Sequence, residues 1–159
     1  LQPKNMTLAV AVCAVVHDNK ILLLKRTRGD YVGLLALPGG KVENNEHVSF
    51  AGLRELKEET EIEAEFVKHL DIVSEILIDG KERKHLLLNI CLLKPLSTKP
   101  AETKEALLWH DLGKLKDIEG EIIPSDLKII ERIIITREKS YFECIMEKSG
   151  NKHKLLKFE

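Results

Sequence analysis

Long apolar runs are missing from this sequence. The two longest, Leu8–Val16 and Leu86–Leu93 (interrupted by Asn89), fall far short of the roughly 20 residues that a membrane-spanning helix requires. The N-terminal residues also lack the basic and apolar segments of a signal peptide. The sequence therefore argues against a membrane protein and favours a soluble cytoplasmic one.

Cysteine is scarce as well. Cys13, Cys91 and Cys144 are odd in number, lie far apart, and each occupies an apolar stretch. They have neither the spacing of zinc ligands nor the pattern of a disulfide framework. The sequence predicts three reduced thiols in the core, in agreement with an intracellular location.

Neither sign of charge dominates. The 25 basic and 26 acidic residues leave a formal net charge of −1, so no whole-protein field attracts nucleic acid or a membrane surface. Aromatic residues make up only 4% of the chain, which leaves few side chains on which a base could stack. These balances disfavour nucleic acid and membrane as partners.

The pattern of apolar residues and turn signals indicates one α/β domain over residues 1–159. We see neither an internal repeat nor a linker long enough to separate domains. Strands are predicted at Leu8–Val16, Ile21–Lys25, Glu65–Leu77, Lys84–Leu93 and Ala106–His110, with a terminal hairpin formed by Tyr141–Met146 and Lys154–Phe158. Helices are predicted from near Glu46 to about Thr60 with Asn44 and Asn45 as the cap, over Asp111–Leu115, and from Pro124 with Leu127, Ile130, Ile133 and Ile134 facing inward.

The first predicted helix concentrates acidic residues on one face. At about 100° per residue, Glu55, Glu58 and Glu59 fall within an arc of roughly 100°. Glutamates on a helix are commonly a solvated face, but here a Pro-Gly-Gly turn precedes the helix and Arg54 lies four residues before Glu58. Several hard oxygens beside small residues suit Mg²⁺ or Mn²⁺, which retain part of their water shell.

This segment resembles the Nudix box, a 23-residue pattern that begins with Gly and ends with an aliphatic residue. The matching residues, at the spacing of the pattern, are Gly40, Glu46, Arg54, Glu55, Leu56, Glu58, Glu59 and Ile62. The resemblance implies a Nudix-type α/β/α sandwich with a mixed sheet, here with a C-terminal β-hairpin. It also implies a metal-dependent hydrolase of nucleoside-diphosphate compounds.

One position departs from that pattern, because Glu61 stands where the family has Gly. This position follows the helix, where chains commonly adopt a left-handed conformation. We expect strain at Glu61 and no metal role for it, since it lies about 200° from Glu59 around the helix.

The resemblance also implies roles for individual residues. Glu59 corresponds to a central metal ligand, Glu55 to a ligand or water-activating base, and Glu58 to a further ligand. The carbonyl of Gly39 is implied to complete the metal shell. Arg54 and Glu46 are implied to orient the glutamates, as residues behind a metal site commonly do.

Further candidates lie outside the box. Many relatives supply another carboxylate from a loop shortly before an aromatic residue such as Trp109, and here Glu102 is preferred over Glu105 by spacing. Arg26 and Arg28 follow the second strand and are expected to reach substrate phosphates. The terminal hairpin could close one wall of the pocket or mediate contact in a homodimer.

Two functions compete. The first is a Nudix pyrophosphohydrolase, with an ADP-ribose-like diphosphate slightly favoured over an oxidised nucleoside triphosphate as substrate. The alternative is a non-catalytic Nudix-fold nucleotide-binding or sensor module. Such modules usually lose glutamates of the box, whereas this chain retains them. The sequence therefore favours the enzyme.

Overall fold

A computed structural model describes residues 6–98, 106–138 and 141–159. These residues form nine strands, with two α-helices and several short helical turns. The strands are β1 Leu8–His17, β2 Lys20–Lys25, β3 Leu35–Ala36, β4 Gly39–Lys41, β5 Ala64–Asp79, β6 Glu82–Pro95, β7 Leu107–Asp111, β8 Tyr141–Ser149 and β9 Lys152–Phe158. The helices are α1 Val48–Thr60 and α2 Pro124–Lys128; α2 continues as a wider π-helical turn over Ile129–Ile135, and 3₁₀ turns occupy Leu112–Asp117 and Glu119–Glu121.

The strands form one mixed sheet in the order β3-β2-β1-β6-β5-β8-β9, while β4 pairs with β1 and β7 pairs with β2. Two pairs are parallel, β1 with β6 and β5 with β8, and the remaining pairs are antiparallel. Strand β1 is the centre of this arrangement, because it contacts β6 on one side and both β4 and β2 on the other. The parallel register places Cys13 opposite Cys91.

Alternation along β1 divides the core into two layers. Val12 and Ala14 face the layer that contains α2 and its continuation, whereas Cys13 and Val15 face the layer that contains Leu56 of α1. Each helix therefore covers one face of the sheet. The predicted α/β/α sandwich is confirmed.

The three cysteines are buried and free, as predicted. On the α1 side, Gly52 lies directly over two of them, and a Cβ at this glycine would be 3.8 Å from the sulfur of Cys91 and 3.9 Å from that of Cys13. Small size at position 52 thus allows α1 to approach the sheet closely.

The predicted hairpins are present. Asp79 pairs with Glu82 across a two-residue turn in which Gly80 has a φ of 58°, and Ser149 pairs with Lys152 at the terminal hairpin. The helices predicted near Asp111 and from Pro124 are also present, the first as the 3₁₀ turn over Leu112–Asp117 and the second as α2. The Asp111 side chain accepts a hydrogen bond from the Gly113 amide at the start of the 3₁₀ turn.

The predicted start of α1 was wrong. The helix begins at Val48 rather than near Glu46, its N-cap is His47, and no side chain caps it. Asn45 instead has a φ of 62°, and the Glu46 amide donates to the Glu43 carbonyl. These residues form a turn ahead of the helix, which frees the side chain of Glu46 for a different contact. None of the helices in the described parts of the chain is long and apolar enough to cross a membrane.

Candidate active site

Strand β4 carries the glycines of the box against the centre of the sheet. A side chain at Gly39 would overlap the carbonyl oxygen of Ala11, so only glycine allows this approach to β1. The amide of Cys13 donates to the Pro38 carbonyl at 2.7 Å and fixes the same contact. The backbone of β4 is therefore held beside α1, which follows it in the chain.

A cleft of about 900 Å³ opens between β4, α1 and the loop after β2. It is lined by the three glutamates of the predicted cluster, by both predicted arginines, and by glycine backbone: Glu55, Glu58, Glu59, Arg26, Arg28, Gly29, Gly39 and Gly40, with Leu24, Thr27 and Lys41. The structure thus brings together residues from two segments that the sequence analysis had selected separately.

Arg54 connects the acidic residues behind this cleft. It donates to the two carboxylate oxygens of Glu46 at 2.7 and 2.9 Å, and to Glu55 at 2.9 Å. It also donates to the Lys41 carbonyl at 3.0 Å and lies 3.3 Å from Glu58. The paired contact with Glu46 suits the planar guanidinium, which binds a carboxylate with two parallel hydrogen bonds.

Arg54 also determines the ionisation of its partner. Hydrogen bonds from Arg54, and secondly from the Glu43 amide, lower the pKa of Glu46 to about 2. The same contact with Glu46 raises the pKa of Arg54. Glu46 and Arg54 are therefore both charged at neutral pH, and the pair is a fixed support beside Glu55.

Glu59 is held by the backbone of β4. One of its carboxylate oxygens accepts a hydrogen bond from the Gly39 amide at 3.2 Å, so its position is linked to β4. Beneath it lies Cys13. Burial raises the pKa of this thiol, and the neighbouring Cys91, Glu59 and Glu55 raise it further. Cys13 is therefore a neutral core residue and not a nucleophile.

The donor atoms on this face fit a hard divalent cation. Carboxylate oxygens and the Gly39 backbone are the ligand types that Mg²⁺ prefers. Within residues 6–98, 106–138 and 141–159, no three acidic, histidine or cysteine side chains already form a compact ligand set. Two of the candidates, Glu55 and Glu58, bind Arg54 instead. To join a ligand set with Glu59, Glu58, whose side chain is 59% exposed, would have to release Arg54.

Arg26 is the better anchored of the predicted phosphate-binding arginines, because its guanidinium bonds to the backbone of its own loop. The Arg26 guanidinium donates to the carbonyls of Asp30 at 2.7 Å and Arg28 at 3.2 Å, so it organises the loop while it lines the cleft. Asp30 in turn binds Lys84 of β6 at 2.8 Å and Lys148 of β8 at 3.2 Å. This loop is therefore fastened to the sheet.

The terminal hairpin also supports that loop. His153 of β9 packs on Tyr31 with ring centroids 4.3 Å apart, and Lys148 of β8 provides the ion pair with Asp30. These contacts place the hairpin against the loop after β2, and both roles considered for the hairpin stay predictions.

The loop candidates Glu102 and Glu105 lie outside the described residues. The residues on either side of that segment are fixed: Trp109 donates from its indole to the Thr98 carbonyl at 3.2 Å, and the Lys25 amide donates to the Ala106 carbonyl at 3.1 Å. Ala106 is thus bonded next to Arg26, which lines the cleft.

Sequence reasoning missed several residues that face the cleft or the cavity beside it. Lys41 and Thr27 line the cleft. Tyr31, Glu75 and Asp126 line the neighbouring cavity. One signal was available for Glu75, because it lies between Val73 and Leu77 in the buried phase of β5. A carboxyl group in that phase indicates a buried polar site.

Comparison with known proteins identifies the family of this chain. The NUDIX domain family matches residues 7–133. A MutT NUDIX hydrolase structure from Burkholderia pseudomallei is 30% identical, with a TM-score of 0.68 over 80% of this chain and 98% of that one. A MutT protein structure from Bacillus halodurans is 22% identical and shares the fold, with a TM-score of 0.73 over 96% of each chain.

A curated relative, the ADP-ribose pyrophosphatase of Methanocaldococcus jannaschii, is 55% identical over 53 residues, which are 33% of this chain and 31% of that protein. For three of the curated relatives, the matched part is between 31% and 50% of their own length. The family match covers most of the chain, and the fold and the arrangement of the box agree with it. This chain belongs to the NUDIX domain family.

Proposed function

We propose that this protein is a metal-dependent pyrophosphohydrolase that cleaves the diphosphate linkage of a nucleoside-diphosphate derivative. The observation that carries the proposal is the convergence of Glu55, Glu58 and Glu59 on one cleft with the backbone of Gly39. Nudix hydrolases generally use divalent cations, and these oxygens are suitable ligands for Mg²⁺ or Mn²⁺. When bound, the ion polarises phosphoryl oxygens and lowers the pKa of a water molecule.

The residues of the chain have separate tasks in this proposal. Glu59 and the Gly39 carbonyl hold the cation, with Glu58 turning inward as a further ligand. Glu55 is a ligand or accepts the proton of the attacking water. Arg54 and Glu46 are positioning residues, because their hydrogen bonds fix Glu55 and the start of α1. Arg26 and Arg28 bind the phosphates.

For the substrate, we propose an ADP-ribose-like compound ahead of an oxidised nucleoside triphosphate. Support comes from the archaeal relative that is named an ADP-ribose pyrophosphatase. Glu102 is proposed as an additional acidic ligand ahead of Glu105. A cytoplasmic location remains a proposal that rests on the reduced thiols.

The test is a panel of diphosphate compounds with Mg²⁺ and with Mn²⁺. We expect release of a nucleoside monophosphate that stops in excess chelator. Glu59→Gln should lower kcat by orders of magnitude while the melting temperature stays close to that of the parent, because charge is lost and shape is retained. Glu63→Gln is the matched control, since this exposed glutamate pairs with Lys57 away from the cleft.

Three results would contradict the proposal or a part of it. Turnover that persists in chelator would exclude the metal-dependent mechanism. Nucleotide binding without turnover of any compound would favour the non-catalytic sensor. A larger loss of activity in Glu105→Gln than in Glu102→Gln would show that the other loop carboxylate was the correct choice.

A further inference from the structure

The loop after β2, residues 26–34, is folded around the guanidinium of Arg26. The Gly33 amide donates to the Arg26 carbonyl at 2.9 Å and closes the loop at its base. Inside the loop, the guanidinium donates to the Asp30 carbonyl at 2.7 Å, and a Cβ at Gly29 would lie 3.2 Å from one of its nitrogens. The direction in which Arg26 enters the cleft is therefore set by the backbone of its own loop.

Ion pairs at Asp30 hold that backbone on the sheet. The carboxylate binds Lys84 at 2.8 Å and Lys148 at 3.2 Å, and these lysines belong to β6 and β8, the two neighbours of β5. Partial burial opposes ionisation of Asp30, but the hydrogen bonds from both lysines outweigh it and lower the pKa of the carboxyl group. Asp30 is therefore charged at neutral pH and joins the loop to strands on both sides of β5.

A ring contact accompanies the ion pairs. His153 of β9 packs on Tyr31 with ring centroids 4.3 Å apart. Tyr31 has a φ of 64°, in the left-handed region that is costly for an aromatic residue. Such conformations persist only where the surrounding structure fixes them. The hairpin supplies part of that support from one place, because His153 lies opposite Lys148 in the register of β8 and β9.

The hairpin itself lies apart from the glutamates of the cleft. It follows residues 7–133, which the family matches, and the described residues that line the cleft include none from β8 or β9. Its contacts are with the loop that presents Arg26. That loop is therefore the connection between the hairpin and the cleft.

We propose that the C-terminal hairpin positions Arg26 for a phosphate ligand, with Lys148 and Asp30 as positioning residues. His153 adds the second contact. The proposal rests on the proposed function, which makes the ligand of Arg26 a phosphate. When the ion pair is removed, the loop and the guanidinium sample more conformations, and the ligand has to order them. For one long side chain this cost corresponds to a loss of affinity of about two- to tenfold.

The first experiment measures calorimetric binding of inorganic pyrophosphate, which has two phosphates and no base, in the presence of Mg²⁺. Lys148→Gln removes the charge and should weaken binding by about two- to tenfold. Lys148→Arg should retain the affinity to within about twofold, because an arginine can still pair with Asp30. Lys157→Gln is the matched control, since this lysine of the same hairpin pairs with Glu143 and Glu159 at the end away from the turn.

A double variant tests whether the hairpin acts through Arg26. Arg26→Gln should itself weaken pyrophosphate binding. Lys148→Gln should add little to that loss, because the guanidinium that it positions is already absent. Fully additive losses, or unaltered binding in Arg26→Gln, would overturn the inference.

Limited digestion with trypsin measures the loop in the absence of any ligand. Arg28 and Gly29 are exposed, so the bond between them is the site of cleavage. Digestion well below the melting temperature reports local opening. Lys148→Gln and His153→Ala should be cut after Arg28 at least about twofold faster than the parent, whereas Lys157→Gln should be cut at the parent rate.

Unaltered pyrophosphate affinity in Lys148→Gln would overturn the inference even if cleavage were faster, because the position of Arg26 would then not depend on the hairpin. Equal losses in Lys148→Gln and Lys157→Gln would overturn it as well. If no diphosphate compound is hydrolysed but Lys148→Gln weakens binding only when Arg26 is present, the inference stands and the proposed function fails. Metal-dependent hydrolysis by the parent with unaltered binding in Lys148→Gln would have the opposite meaning.

Discussion

The carboxylate of Glu55 occupies the space into which a side chain at Gly40 would project. This glycine has no strained φ, so its role is to leave room and not to provide unusual backbone. The carboxylate is therefore positioned by two neighbours, the missing side chain at Gly40 and the guanidinium of Arg54.

Gly40→Ala should displace the Glu55 carboxylate and leave the fold intact, because the overlapping atoms belong to the end of a flexible side chain. A displacement of about 1 Å can lower activity on the order of 100-fold, and we expect a loss of kcat of that size. Steady-state kinetics and a thermal melt measure the two effects. Gly120→Ala is the control, since a Cβ there meets open space. Full activity in Gly40→Ala would show that Glu55 needs no fixed position.

Arg54→Lys should weaken the metal site. A lysine ammonium cannot maintain the paired contact with Glu46 together with the bond to Glu55. We expect the Mg²⁺ concentration for half-maximal activity to rise, or kcat to fall, by about 10–100-fold, the range for residues that orient metal ligands. A Mg²⁺ titration of activity is the measurement.

Arg83→Lys provides the comparison for that change, because Arg83 is exposed and donates to the carbonyls of Gly80 and Glu82 at a distant turn. Unaltered Mg²⁺ dependence in Arg54→Lys would mean that the hydrogen bonds to Glu46 and Glu55 do not position the metal ligands.

Glu61→Gly should stabilise the protein by about 0.5–1 kcal/mol. Glu61 has a φ of 60° and a ψ of 8°, and its amide donates to the Lys57 carbonyl, so it occupies the predicted left-handed position after α1. A side chain is strained there, and its negative charge lies at the negative end of the helix dipole. The midpoint of urea denaturation measures the gain, and activity should survive.

For the same measurement, Glu63→Gly is the matched control. Glu63 has no positive φ and pairs with Lys57 at 2.9 Å, so its replacement should not stabilise the protein. A lower midpoint for Glu61→Gly would show that interactions of the Glu61 side chain outweigh the backbone strain.

Asp126→Asn should stabilise the protein at high pH and have little effect at low pH. Burial, followed by the charge of Glu75, raises the pKa of Asp126 from 3.8 to about 7, although the Leu37 amide and Arg26 oppose the shift. Because the folded-state pKa lies above the unfolded value, ionisation penalises folding as pH rises from about 4 to 7, and the penalty is constant above that. The shift corresponds to at most about 4 kcal/mol.

Melting temperatures between pH 4 and pH 8 test this effect. The difference between Asp126→Asn and the parent should grow through this range, whereas Asp117→Asn, at an exposed position, should follow the parent. A constant difference at all pH values would contradict a raised pKa at Asp126.

Local patterns in the sequence were sufficient for much of the fold. The continuous apolar run of β1, the turn residues at Gly80 and Gly150, and the helical spacing of Glu55, Glu58 and Glu59 each act over a few residues, and each is present as predicted. The left-handed conformation of Glu61 was also predicted from local sequence, since the end of a helix determines it. The prediction of where α1 starts was wrong. The sequence predicted Asn44 and Asn45 as the cap of the helix, but Glu46 bonds to Arg54 instead of joining the first helical turn.

The sequence by itself determined the longer strands and the identity of the acidic helix face, because periodicity and turn chemistry depend on neighbours in the chain. The short strands β3 and β4 were not predicted. Only the tertiary structure decided which residues of different elements come into contact. The close approach of Gly39 to Ala11 and the entry of Glu75 and Asp126 into one cavity depend on strand register and on helix placement over the sheet. Such contacts join residues far apart in the chain, and their free energies come from packing that no short segment encodes.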